Sequence, residues 1–149
     1  MIILLQLTQF MLSNISFLEK KVNMIMDGFF VKLSYSDECM TMNGTFIELP
    51  VITSMNAFQP KNILQFDPII NKEWIHKLSI IEKQIIQYYM FFFGISNKSA
   101  NYSLKQQFQN GSIKYYKDYV TKGTTYYIKI SGIWETSSEV GVTYKIIEC

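Results

Sequence analysis

Lysines and aromatic rings are interleaved from Ser96 to Gly132, a combination that is typical of surfaces that hold nucleic acid. This stretch has six lysines and one acid, Asp118. The whole chain has a net charge of +2, so the charges outside this stretch sum to −3. Lysine ammonium groups attract phosphates, and flat rings stack on unpaired bases. The pattern predicts a surface for single-stranded DNA or RNA.

Eight residues are the candidates for this surface, with the lysines expected on phosphates and the tyrosines expected under bases. Side chains at alternate positions of a strand share a face. Ile128, Ile130 and Ile133 are expected in the core, so the face with Tyr127 and Lys129 is expected to meet solvent. The alternative is that tyrosine is frequent in strands and lysine protects sheet edges. The candidates are Lys114, Lys117, Lys122, Lys129, Tyr115, Tyr119, Tyr126 and Tyr127.

Every one of the fourteen basic residues is lysine, and arginine is absent. Arginine is the usual bidentate reader of guanine edges, whereas lysine acts as a hydrated point charge. We therefore expect contacts to the phosphate backbone with little sequence specificity. The abundance of Ile, Asn, Lys, Tyr and Phe also indicates an AT-rich genome.

No group of residues has the spacing of a catalytic or metal site. Glu73 and His76 are three apart in a predicted helix, but no nucleophile or third orienting group accompanies them. Cys39 and Cys149 lie far apart in the sequence, and the chain has a single histidine. These residues are too few and too widely spaced to predict a zinc site. Phosphate-binding glycine loops and a nucleophile elbow are absent. The expectation is a non-enzymatic protein without cofactor or metal.

The first half of the chain predicts a hairpin followed by a long helix. Phe29 to Ser36 alternates at period two, and Thr45 to Ile52 is a second strand that would pair with it. Residues 71–93 carry apolar side chains at three- and four-residue steps, and Gly94 is placed to end the helix. The turn from Tyr88 to Phe93 is apolar all round, so we expect it in the core, or else under a partner.

The second half predicts a short helix and a meander. Leu104 to Gln109 follows a capping box that begins at Ser103 and is predicted to be the helix, with a hairpin turning at Asn110-Gly111 as the alternative. Three strands would come next, over Ser112–Val120, Thr124–Trp134 and Val140–Ile147. The fold prediction is α+β, with an antiparallel sheet of about five strands, the N-terminal hairpin plus the C-terminal three-strand meander, packed on one long central helix.

Residues 1–25 are predicted to be an N-terminal extension or a helix from Ile2 to Val22, upstream of a single α+β domain over 26–149. Translation could start at Met1, Met24 or Met26. The apolar stretch Ile2 to Leu12 is too short to cross a bilayer, and no basic region precedes it. We therefore expect no membrane span and an intracellular protein. Five glycosylation sequons, at Asn14, Asn43, Asn97, Asn101 and Asn110, leave a secreted glycoprotein as an alternative.

The C-terminal third resembles small proteins of large double-stranded DNA viruses and virus-derived elements. The likeness rests on Ile128 to Thr136 and Gly141 to Lys145, and Tyr102 to Gln107 with Gly111 to Lys114 adds to it. Those proteins have no established activity, so the resemblance implies a viral origin and a strand-rich end but no catalytic residues. The expected location is then the host nucleus or cytoplasm.

Three functions follow from these patterns. The first is a non-enzymatic viral protein that binds single-stranded nucleic acid. The second is a virion or host-directed protein–protein interaction module, with a possible homo-oligomer, whose interface is the apolar end of the long helix and the tyrosine-rich sheet. The third is the secreted glycoprotein.

Overall fold

The computed structural model describes residues 4–23, 27–50, 62–117 and 125–148, and within them the chain forms ten strands and two helices. Two short 3₁₀ turns, Leu7–Gln9 and Leu12–Asn14, precede the first strand. The strands are β1 (Ile15–Val22), β2 (Gly28–Ser36), β3 (Thr41–Met42), β4 (Thr45–Leu49), β5 (Ile63–Gln65), β6 (Ser99–Ala100), β7 (Ser112–Lys114), β8 (Tyr116–Lys117), β9 (Tyr126–Thr136) and β10 (Glu139–Glu148). The helices are α1 (Lys72–Phe92) and α2 (Ser103–Gln109).

Eight of these strands form one mostly antiparallel sheet, in the order β1-β2-β9-β10-β6. The central strand is β9, whose first half pairs with β4 and whose second half pairs with β2. Along its other edge β9 pairs with β10. Short strands β8 and β6 pair in parallel with the two ends of β10. The predicted α+β class and antiparallel sheet are confirmed, but the described strands outnumber the five that were predicted.

The register of β9 and β10 defines two faces of the sheet. On the inner face, Ile128 lies opposite Ile146 and Ile133 lies opposite Val142, and all four are buried. On the outer face, Tyr127 lies opposite Ile147 and Lys129 lies opposite Lys145. The expected core role of Ile128, Ile130 and Ile133 is thus confirmed.

Helix α1 covers the inner face, as its sequence pattern predicts. Trp74, Leu78, Ile81 and Ile85 form the buried stripe. Gly94 ends the helix with a φ of 65°, a left-handed conformation that costs glycine little. In this ending the Ile95 amide donates to the Met90 carbonyl at 2.8 Å.

The expectation that the apolar turn at the end of α1 lies in the core is confirmed for Tyr89 but wrong for Phe91 and Phe92. Tyr89 is buried, but Phe91 is 89% exposed and Phe92 is 59% exposed. Successive helical residues are 100° apart, so a turn that is apolar all round can press only one stripe against a sheet. Phe91 and Phe92 consequently point away from the core.

Helix α2 forms where it was predicted, but its cap is not the predicted one. Ser103 is the first helical residue, and Tyr102 in the capping position makes no side-chain cap. The carboxylate of Glu82 in α1 accepts hydrogen bonds from the amides of Leu104, at 2.9 Å, and Lys105, at 3.1 Å. Burial raises the pKa of Glu82, and these two hydrogen bonds oppose that rise. A buried carboxylate therefore fastens α2 to α1.

The predicted three-strand meander is present only as the β9–β10 hairpin. The predicted strand Ser112–Val120 is divided into β7 and β8, and its last residues lie outside the described ranges. Strand β7 pairs with β5 in a separate two-stranded sheet, while β8 joins the end of β10. The Tyr115 amide, between them, donates to the Asn62 carbonyl at 3.0 Å. This long-range contact divides the predicted strand.

The predicted N-terminal hairpin is also only partly present. Strand β2 pairs with the two-residue β3, and Tyr35 lies opposite Met42. Beyond Gly44 the chain leaves β2, and β4 pairs with β9 instead. The described part of the predicted strand Thr45–Ile52 is thus a neighbour of β9 rather than of β2.

The predicted helix from Ile2 to Val22 is wrong. Residues 15–22 are β1, an edge strand antiparallel to β2, and Ile15 lies in the core. The Leu5 amide donates to the Phe46 carbonyl at 2.8 Å, and the Glu48 amide donates back to Leu5 at 2.8 Å. A chain started at Met24 or Met26 would therefore lack an edge strand of the sheet.

Candidate nucleic-acid interface

The outer face of the sheet carries a directly opposed pair of lysines. Lys129 of β9 and Lys145 of β10 are cross-strand partners, and like charges in this position repel. Neither ammonium has a carboxylate within 4.0 Å in the described part of the chain. The Lys129 ammonium lies 5.5 Å from the centre of the Phe46 ring, and that of Lys145 lies 4.8 Å from the Tyr116 ring.

Among the residues that the structure describes, Tyr116 is the most accessible ring of this face. Its parallel pairing with Ile147 places it beside β10, and the residue is 44% exposed. The Lys114 ammonium lies 5.4 Å from its centre, in addition to that of Lys145. We call Lys114, Tyr116, Lys129 and Lys145 the Tyr116 cluster. It combines positive charge with a ring that a base could stack on.

Tyr127 is a correction to the predicted site, because it is not the solvent-facing ring that was expected. It is only 6% exposed, and its ring packs 6.2 Å from that of Phe46. Phe46 reaches this position because β4 pairs with the first half of β9. A buried ring offers no free face for a base.

Tyr115 and Tyr126 form a structural pair at the end of the sheet. Their rings meet edge to face, with centroids 5.4 Å apart. Burial and the negative charge of the neighbouring Glu148 raise the pKa of Tyr115. Burial, reinforced by the negative charge of Glu148, raises the pKa of Tyr126 to about 12. Both tyrosines are half-buried, so their rings contribute to packing rather than to an open surface.

Some of the remaining predicted residues are described by the structure, and others lie outside the described ranges. Lys114 and Lys129 belong to the Tyr116 cluster, and Lys117 has its backbone in β8. Tyr119 and Lys122 lie outside the described residues. Tyr116 and Lys145 were missed. The alternation of Lys114 with Tyr116 indicates that the two share a face, but neither the exposure of the Tyr116 ring nor the pairing with β10 could be read from local spacing.

Another lysine of the predicted basic stretch is used inside the protein. Lys98 and Lys20 both pair with the carboxylate of Glu135, which also accepts the Tyr89 hydroxyl at 2.6 Å. Lys20 lies 2.9 Å from Glu135 Oε1, and its ammonium is 4.7 Å from the Phe93 ring. This Glu135 network connects β1, α1, β9 and the segment after α1.

The ionisation of Glu135 is set by its partners. Burial alone would raise its pKa, but hydrogen bonds from Lys98, Tyr89 and Lys20 outweigh burial and hold the pKa at about 2. Burial and the neighbouring carboxylate raise the pKa of Tyr89 in turn. Glu135 therefore stays ionised at neutral pH, with a role in stability.

Glu73, which is three residues from His76 in α1, forms its ion pair with Lys77. The two charged groups lie 3.6 Å apart, and His76 borders a surface cavity. Among the described residues, no three or more of His, Cys, Asp and Glu are close enough to hold a metal ion.

The glycosylation sequons differ in accessibility. Asn43, Asn97 and Asn110 are exposed. The side-chain amide of Asn14 donates to the Tyr35 hydroxyl at 3.3 Å, and that of Asn101 donates to Glu139 at 2.7 Å. The secreted glycoprotein stays a prediction, with the three exposed asparagines as its acceptors.

No helix within the described ranges is long and apolar enough to cross a membrane. Comparison of the chain with protein-family models, with curated proteins and with solved structures gives no match.

Proposed function

We propose that the protein binds single-stranded DNA or RNA, with little sequence preference, across the outer face of its sheet. The observation that carries the proposal is the Tyr116 ring, which is 44% exposed and has the ammonium groups of Lys114 and Lys145 within 5.4 Å and 4.8 Å of its centre. A base stacked on this ring would have its phosphates beside the two lysines. Such stacking contributes about 1–3 kcal/mol per base.

The opposed lysines favour an anionic ligand on the same face. Lys129 and Lys145 repel one another in the free protein, and phosphates between them would relieve that repulsion. Because the chain has no arginine, base edges have no bidentate reader, and stacking tolerates every base. The viral origin implied by the C-terminal resemblance remains part of the proposal, as do the intracellular location and the absence of enzymatic activity.

We expect Tyr116→Ala to weaken binding of a fluorescent 30-nucleotide oligo-dT by about 5- to 150-fold, the equivalent of one lost stacking contact. Tyr116→Phe keeps the ring and should bind like the wild type. Phe91→Ala removes a still more exposed ring at the end of α1 and serves as the control. Fluorescence anisotropy measures all four affinities, and equal affinity of Tyr116→Ala and the wild type would count against the proposed site.

A second candidate function, a protein–protein interaction module, is favoured by the apolar end of α1. Phe91 and Phe92 are exposed there, and Leu18 and Val22 on β1 are exposed as well. The Phe92 ring lies 5.9 Å from that of Phe17, which connects the helix end to the edge strand. Contiguous exposed apolar groups mark interaction sites.

A partner would dock on these rings rather than extend the sheet. The edge strand β1 has an irregular register between Phe17 and Lys20, and Lys20 points inward to Glu135. Bulges and inward-pointing charges are devices that keep edges from pairing. The interface of this second candidate is therefore the end of α1.

For self-association through this surface we expect an oligomer that persists at high salt, because apolar contacts are not screened. Phe91→Glu should lower the association constant at least about tenfold, since a charge would be buried in the contact. Light scattering at high protein concentration provides the measurement, with Lys21→Glu as an exposed control on β1. A strictly monomeric wild-type protein would rule out self-association.

A further inference from the structure

A basic groove lies between α1 and α2, on the helical side of the sheet. Lys72, His76, Ser79 and Lys83 recur at three- and four-residue steps and share one stripe of α1. Two neighbouring cavities, of about 240 Å³ and 170 Å³, are both lined by His76, Ser79 and Lys105 of α2. The stripe and α2 together enclose a cleft.

The charge of this groove is not balanced by acids. Neither cavity has an acidic lining residue, and Lys72, Lys83 and Lys105 have no carboxylate within 4.0 Å in the described part of the chain. Behind the groove, the buried Glu82 can offset at most one of these three charges, and both its oxygens bind backbone amides. Clefts lined by one sign of charge concentrate the field and attract counter-ions.

We propose that the α1–α2 groove is an anion site that takes a chain of two or three phosphates. Lysines act as point charges that suit phosphate oxygens, and several of them around one cleft favour a ligand with several negative charges. His76 and Gln109 add hydrogen-bonding side chains at the cavity walls, while the half-buried ring of Tyr102 borders the larger cavity. The amides of Leu104 and Lys105 in the first turn of α2 donate to Glu82, so side chains make the contacts.

This site is separate from the proposed nucleic-acid surface. Helix α1 packs on the inner face of the sheet, whereas the Tyr116 cluster lies on the outer face. The groove therefore goes beyond the proposed function, and either site could be lost without the other.

His76 makes the test direct, because it is the one histidine of the chain and its ring signals need no assignment. Pyrophosphate is titrated into the full-length protein while the His76 ring resonances are followed by NMR. We expect a saturable shift and at least about tenfold tighter binding of pyrophosphate than of sulfate. No saturable shift, or equal affinity for sulfate, would overturn the site.

Charge-neutral variants complete the test. Lys83→Gln with Lys105→Gln should weaken pyrophosphate binding at least about tenfold, whereas the control Lys21→Gln with Lys77→Gln loses the same charge elsewhere and should not. Unchanged affinity in the first pair would refute the groove. The same pair should keep oligo-dT binding, so failure of the groove and failure of the outer face are distinguishable.

Two further titrations distinguish sources of the phosphate chain. A nucleoside triphosphate that binds more tightly than inorganic triphosphate would support the groove and assign Tyr102 to the nucleoside. Equal affinities for the two would support a site for the phosphate chain alone.

Discussion

Replacement of Glu135 by glutamine is expected to lower the free energy of unfolding at pH 7 by about 3 kcal/mol. The side chain is 4% exposed and holds Lys20, Lys98 and the Tyr89 hydroxyl. Glutamine has nearly the same shape as glutamate, so the loss of stability reports the removal of the charge alone. Breaking a buried ion pair costs several kcal/mol because its partners remain buried without compensation.

The pH dependence of this loss has a defined sign. The pKa of Glu135 falls from 4.5 to about 2 on folding, so the folded state favours the ionised carboxylate. Its contribution is fully present above about pH 5 and disappears as the pH falls towards 2. A depression of this size corresponds to about 3 kcal/mol, in line with the cost of removing the charge. Wild type and variant should therefore converge in stability near pH 2.

Urea unfolding across this pH range provides the measurement, with Glu19→Gln as the control. Glu19 is an exposed acid on β1, and its replacement removes the same charge. We expect the control to follow the wild type at every pH. A difference between Glu135→Gln and the wild type that stays constant from pH 7 to pH 2 would contradict the ionised network.

Reversal of both opposed lysines, Lys129→Glu with Lys145→Glu, is expected to abolish binding of oligo-dT. The two carboxylates would stand where the proposed phosphates lie, and each would repel them. The fold should survive, because one like-charged cross-strand pair replaces another. The register makes Lys145, which was not among the eight candidates, the cross-strand partner of Lys129.

The matched control is Lys21→Glu with Lys77→Glu, which changes the net charge equally at exposed sites outside the Tyr116 cluster, one on the edge strand β1 and one on α1. Anisotropy with the same 30-nucleotide oligo-dT should show nearly unchanged binding for this control at moderate salt. If both double variants lose affinity to the same extent, net charge rather than the Tyr116 cluster governs binding.

The long helix was predictable because its determinants are local. Trp74, Leu78 and Ile81 repeat at helical spacing, and Gly94 supplies the left-handed residue that ends the helix. The existence of α2 was also readable from its residues. Its cap was not, because Glu82 is far along the chain from Leu104 and becomes its acceptor only after the helices pack.

The sheet was harder to predict because its pairings are long-range. The alternation in β9 correctly placed Ile128 and Ile130 in the core, yet the burial of Tyr127 depends on Phe46 of β4. The separation of β7 from β8 likewise depends on β5, which has no strand pattern strong enough to be read in advance. Local periodicity assigns faces within a strand, but it does not say what covers them.

The candidate site was likewise predictable only where its determinants are local. Composition and spacing pointed to lysines among tyrosines, and Lys114 and Lys129 remain in the Tyr116 cluster. The exposed ring could not be chosen, since Tyr115 and Tyr126 are drawn to Glu148 by contacts that form only in the folded sheet. Whether a ring is exposed depends on the residues that pack against it in the folded protein.

The measurement that tests the central claim most directly is binding of the full-length protein to fluorescent 30-nucleotide oligo-dT across a salt series. Three lysines in the Tyr116 cluster predict a log–log slope of about −2, at roughly −0.7 per phosphate contact on a single strand. Tight binding at low salt with such a slope is the expected result. No binding at low salt, or an affinity that does not change with salt, would contradict the nucleic-acid function.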